Sequence, residues 1–239
     1  MRRLLLLFFI VSVLPATAFQ APGQATLIVP KDVLNHLRLA ETAVFQQFYK
    51  GEPSGSMVLS REVNDGQLTI RDKTLVPVFK VAEELVSVVA LADGGLTQLT
   101  GDGYFGKAAV DVALNTKDGV LSGHVQMGDN RREINQPLSS QTFSRVGLFA
   151  LLPLFPFEAG KPYQAQMLDS LDGRVYTIEI GVTAVADGLR VELNGHKARQ
   201  AFFISAGKTQ RIEVLDTTWR YERVANEAAL QPAKQPEPR

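Results

Sequence analysis

The chain has 239 residues, with 25 lysines and arginines against 25 aspartates and glutamates, and no cysteine. That balance excludes the basic field that draws nucleic acid and the acidic excess that keeps a chain unfolded. Without cysteine, neither disulfide stapling nor lipid attachment through a thiol is available, so stability must come from the core.

Arg2 and Arg3 precede the apolar run Leu4 to Leu14, and Ala16-Thr17-Ala18 supplies a small-x-small cleavage site. This is the layout of a secretory signal, so residues 1–18 are expected to be removed and the mature protein to be periplasmic or otherwise extracytoplasmic. Removing Arg2 and Arg3 leaves 23 basic residues against 25 acidic, a formal charge of −2. A single β-rich domain over residues 19–224 is expected next, and the proline-rich close, 225–239, is expected to be disordered.

Ala25 to Val29 alternates well enough to open a sheet. From Asp32 to about Ala40 a helical stripe (Val33, Leu37, Ala40) follows a capping Asp32, and a strand is expected after it, through Phe45 and Tyr49. From Gly51 onward, Asp-Gly recurs at Asp65-Gly66, Asp93-Gly94, Asp102-Gly103, Asp118-Gly119, Asp172-Gly173 and Asp187-Gly188, with Asn194-Gly195 beside them. Such dipeptides accept the positive φ of tight hairpins, and alternating apolar residues flank them, as at Val110, Val112 and Leu114 before Asp118. The fold class is therefore mainly β: one antiparallel meander forming an open or half barrel, with one short N-terminal helix.

Val146 to Phe157, V-G-L-F-A-L-L-P-L-F-P-F, interrupts the meander. It is too short to span a bilayer, and Pro153 and Pro156 prevent one unbroken helix. An apolar, proline-containing segment packed on the sheet is expected, with Leu148, Phe149, Leu152, Leu154, Phe155 and Phe157 as candidate ligand-binding residues. Past it, the phase of alternation changes near Val214, which predicts a bulge or tight corner.

Motifs of chemistry are weak. Gly101-Asp102-Gly103-Tyr104-Phe105-Gly106 spells G-x-G-x-x-G, but a strand follows it where a dinucleotide site needs a helix. Gly51-Glu52-Pro53-Ser54-Gly55 misplaces the serine of a nucleophile elbow. His36, His124 and His196 have no metal-ligand spacing and read as surface or turn residues, with His124 on the solvated face. No catalytic residue, metal or cofactor is expected, and the protein is expected not to be an enzyme. Trp219 and Tyr221 alternate with Arg220 and Glu222 as in a half-buried strand.

Three stretches carry a family resemblance: F-Q-Q-F-Y-K-G-E-P-S-G-S-M-V-L-S, S-Q-T-F-S-R-V-G-L-F-A-L-L-P-L-F-P-F-E-A-G-K-P-Y, and F-F-I-S-A-G-K-T-Q-R-I-E-V-L-D-T-T-W-R-Y-E. Over residues 41–223 the chain resembles bacterial periplasmic β-proteins of unknown function, with Phe203 in the place of a usual tryptophan. The resemblance implies a curved half-barrel similar to the lipoprotein carriers LolA and LolB, and no catalytic residue. The leading expectation is a non-enzymatic carrier or binding protein for an apolar ligand such as a lipid or acyl chain. The alternative is a structural or interaction module of the cell envelope with no small-molecule ligand, in which the apolar segment only fills the core or meets a partner protein. Nucleic acid is not an expected partner, nor is the chain expected to be integral to the membrane once the signal is removed.

Overall fold

The structure, a computed structural model, describes residues 25–27 and 40–234. The expected signal segment and the helix before Ala40 lie outside the described residues. The strand expected after that helix is present as Glu41–Tyr49.

Among the described residues, two meanders make one open, mainly antiparallel sheet of sixteen strands. The first runs through β2 (Glu41–Tyr49), β3 (Glu52–Asn64), β4 (Gln67–Val76), β5 (Val81–Ala90), β6 (Leu96–Phe105), β7 (Ala108–Lys117), β8 (Val120–Met127) and β9 (Asn130–Pro137). The second runs through β11 (Tyr163–Leu168), β12 (Val175–Val185), β13 (Gly188–Asn194), β14 (Gln200–Ser205), β15 (Lys208–Val214) and β16 (Trp219–Val224). Antiparallel pairing of β16 with β2 joins them, with Trp219 opposite Tyr49 and Val224 opposite Val44. Two short strands, β1 (Ala25–Thr26) and β10 (Thr142–Ser144), pair with β11 in parallel, an arrangement a pure meander does not contain.

The hairpin chemistry holds where Asp and Gly both take positive φ, as at Asp65-Gly66 and Asp118-Gly119. Two expected turns differ. Asp102-Gly103 lies inside β6, where Gly103 has a φ of 147° and a side chain would meet the Ala82 carbonyl at 2.1 Å. The glycine serves a close strand approach, and the reversal falls at Gly106-Lys107 instead. Asn194-Gly195 opens a longer loop, residues 195–199, because His196 and Lys197 turn aside to Asp169. The phase change near Val214 is a corner: β15 ends there and β16 begins at Trp219.

The apolar segment is regular in its first half, not an irregular run. Arg145–Leu151 forms helix α1, capped by the Ser144 hydroxyl, which accepts from the Gly147 N–H at 2.9 Å, and a 3-10 turn, Leu152–Leu154, follows. Pro153 ends the α-helix without disorder, because a proline in a first helical turn forfeits no bond. The helix packs against β3, β4 and β5 of the first meander and against β10 and β11, and Val146 to Leu151 are all buried. No helix among the described residues is long and apolar enough to cross a membrane.

Residues 225–234, part of the tail expected to be disordered, lie along β2 and β3. The Gln231 N–H donates to Gln46 Oε1 at 2.6 Å and the Lys234 N–H to the Pro53 carbonyl at 2.8 Å.

Candidate functional site

On β4 the inward phase runs Leu68, Ile70, Asp72, Thr74, Val76, and on β5 it includes Glu83, Leu85, Ser87 and Val89. Two carboxylates therefore stand where the strands otherwise place apolar or small side chains. Asp72 and Glu83 are each 6% exposed. Between them reaches Arg145, the first residue of α1, whose Nη2 donates to Glu83 Oε1 at 3.2 Å. A cation at a helix N-terminus opposes the macrodipole, at a cost of about 0.3–1 kcal/mol, so the two acids, not the helix, hold Arg145 there.

These groups border a partly open cavity of about 180 Å³. Its polar wall is Gln47, Asp72, Thr74, Glu83, Arg145, Gln200 and Tyr221, and its apolar wall includes Met57, Phe105, Phe149, Ile212 and Trp219. Trp219 also lines a neighbouring surface groove with Lys50 and Asp216, and its ring packs 5.0 Å from Tyr49 and 4.7 Å from Phe79. It stands between cavity and surface.

The hydrogen bonding inside is incomplete. Gln47 Nε2 donates to the Tyr221 hydroxyl at 3.2 Å, while Gln47 Oε1 and Arg145 Nε are buried without partners. Gly55 gives the Gln47 amide its room, since a side chain there would meet Gln47 Oε1 at 2.9 Å and the Leu75 carbonyl at 2.2 Å. Asp72 Oδ1 accepts from the Thr74 hydroxyl at 2.9 Å, and among the described residues no basic group lies within ion-pair distance of Asp72. Buried polar groups are normally paired, so this concentration of unpaired ones marks the cavity as a candidate site.

Electrostatics follow from burial. Desolvation pushes the Asp72 carboxyl up, against the pull of Arg145 and the Thr74 bond. It also pushes Glu83 up, outweighing Arg145, with Asp72 and Asp169 adding to the rise. For Arg145 burial acts downward, but the charges of Glu83, Asp72 and Asp169 outweigh it and hold the guanidinium above its ordinary value. Burial, reinforced by Asp72, pushes the Tyr221 hydroxyl up to about 12.

Of the six candidate ligand-binding residues, Phe149 lines this cavity and the other five do not. Leu148 and Leu152 are fully buried in the core, Phe155 is buried against Phe143, and Leu154 and Phe157 are half-buried on the core's margin. Phe149 also packs edge-on to Phe202 at 4.9 Å. Sequence reasoning missed Asp72, Glu83 and Gln47. The available signal was their position in the buried phase of alternation, which a count of apolar residues alone overlooks.

A second polar cluster folds the loop after β11. Asp169 Oδ1 accepts from the Leu171 N–H at 2.7 Å, while Oδ2 accepts from Lys197 at 3.2 Å and pairs with the His196 ring. Burial would raise this carboxyl, but the Leu171 N–H, Lys197, Arg145 and His196 together hold it below the ordinary range. His196 is thus a loop anchor, and His124 pairs with Asp111 at 2.8 Å on the outer face. His36 lies outside the described residues. The G-x-G-x-x-G residues occupy the end of β6 and its turn, with β7 following.

No family model and no curated protein matches the chain. Among solved structures, the fold is similar to the crystal structure of a β-barrel-like protein of the domain of unknown function DUF1849 from Brucella abortus. The two share 13% identity over 78% of this chain and 96% of that one, with a TM-score of 0.52, a likeness of fold.

Proposed function

We propose that the chain is an extracytoplasmic, non-enzymatic binding or carrier protein for a ligand with an apolar body, such as a lipid or an acyl chain, received in this partly open cavity. The observation that carries this reading is the cavity of about 180 Å³ with an apolar wall of Met57, Phe105, Phe149 and Ile212 and unpaired polar atoms opposite. A site that is mostly apolar with a few convergent polar groups is the usual form of a small-molecule pocket. The extracytoplasmic part rests on the Arg2-Arg3 start and the Ala16-Thr17-Ala18 site.

Trp219, the single tryptophan, provides the test because it lines the cavity. Titrating n-octanol should change its emission saturably, and native mass spectrometry of protein taken from its own cell envelope should show a co-purifying small molecule. A silent tryptophan and a bare mass would remove the reading. One observation favours a structural or interaction module instead: Leu148 and Leu152 of the apolar segment are wholly core residues. A stoichiometric protein partner in the same spectra, without a small molecule, would select that alternative.

A further inference from the structure

We propose that the ligand of this cavity carries a cationic head, an ammonium group, which ion-pairs with Asp72 while its apolar body lies along Phe149 and Trp219. The inference rests on the binding reading above and adds the charge of the ligand.

Charge and hydrogen-bond counts inside the cavity point the same way. Two carboxylates, Asp72 and Glu83, face a single guanidinium, and Arg145 is committed to Glu83. Asp72 is left with a neutral hydroxyl from Thr74 and, among the described residues, no cation in ion-pair contact, Arg145 acting on it only from a distance. Gln47, 1% exposed, contributes a further acceptor oxygen without a donor. An ammonium group supplies up to three N–H donors and one positive charge, which is what this set lacks. Among the fully buried side-chain atoms of the lining, Arg145 Nε is an unpaired donor. An anion drawn to it would still meet two carboxylates. Trp219, Tyr221 and Phe105 add aromatic walls, and aromatic rings beside carboxylates are the usual surroundings of a desolvated ammonium.

Proton linkage gives the inference a signature. Besides burial, Arg145 from α1 and the Thr74 hydroxyl on β4 act on Asp72; Asp72 in turn raises Glu83 on β5 and Tyr221 on β16, and Asp169 reaches Arg145 and Glu83 from the loop after β11. Buried without a cation in contact, Asp72 keeps a proton above the ordinary carboxyl range. An ammonium ligand takes that proton's place, so its binding tightens as pH rises through the Asp72 range and then levels off.

The test uses full-length processed protein and Trp219 emission with three probes of one chain length: n-octylamine, n-octanol and octanoate. Octylamine should bind at least about tenfold tighter than octanoate and octanol, and only octylamine should tighten with rising pH. In Asp72→Asn, shown to be folded by circular dichroism, the octylamine advantage and its pH dependence should vanish. Octanoate binding tightest would overturn the inference and assign the head to Arg145, leaving the apolar-body reading intact. Equal binding of octanol and octylamine would also overturn it. No binding of any probe would remove both. Lysophosphatidylethanolamine separates the sources of the ammonium: its saturable binding in competition with octylamine assigns a lipid head, and its failure to compete assigns a free amine.

Discussion

Asp72 and Glu83 sit two ladder positions apart on β4 and β5, since Asp72 pairs with Leu85 and Thr74 with Glu83. Asp72 is buried without a cation in ion-pair contact, whereas Glu83 shares its charge with Arg145. Their amide variants should therefore move stability in opposite directions. Because the native carboxyl of Asp72 is raised, the native state holds a proton that the unfolded chain releases, and stability falls as pH rises from the ordinary aspartate range to the raised one. Asp72→Asn removes that penalty, so its urea midpoint should exceed the wild type's at neutral pH and converge with it in acid. Burial raises Glu83 too, but Glu83→Gln strips the buried Arg145 of the carboxylate it contacts, and that loss outweighs the relief, at a cost of about 1–3 kcal/mol at neutral pH. Equal shifts for the two variants would show that the cluster behaves as one undifferentiated patch of charge.

At the scale of elements, the strands were legible because the sheet has an inside and an outside, and period-two alternation records that division directly. The Asp-Gly pairs added the reversals, except where Gly103 meets a neighbouring strand's carbonyl and carries no turn. Helix α1 was not legible. A helix on a surface shows an apolar stripe, but α1 is buried from Val146 to Leu151, so those residues are apolar all round and leave no 3.6-residue period. For the same reason the segment divides by depth. Leu148→Ala empties a fully buried position and should cost about 2–5 kcal/mol while the folded protein binds octanol as before. Phe149→Ala opens onto a space that already exists, so it should destabilise less and weaken octanol binding instead. Parallel urea melts and Trp219 titrations of the two variants check this. The site itself was hidden because its acids obey the same alternation as leucines, and only burial distinguishes them from solvated neighbours such as Asp102.

The whole molecule is arranged so that the last long strand lies beside the first. Gln47 on β2 bonds to Tyr221 on β16 across 174 residues of chain, and both line the cavity. Each meander is built from local hairpins and needs only its own turns. The β16–β2 seam needs both meanders at once. Closing so long a loop is entropically slow, and sheets dominated by distant pairings fold in milliseconds to seconds or longer. Tyr221→Phe, which removes the Gln47 bond at that seam, should speed unfolding and leave the refolding rate nearly unchanged, as stopped-flow Trp219 emission will read. A slowed refolding rate would place the seam in the transition state.

That seam has a temporal consequence. A ribosome or a translocation pore delivers the N-terminal strands first, and β2 then waits for a partner that is nearly the last segment to arrive. During that interval β2 presents an unpaired edge and Phe45 lacks its finished surroundings, a condition that invites pairing with another nascent chain. The cavity comes into existence only when synthesis is essentially complete, because Trp219 and Tyr221 of its wall lie on β16, so a prematurely terminated copy lacking β16 has the hairpins of the fold without the cavity.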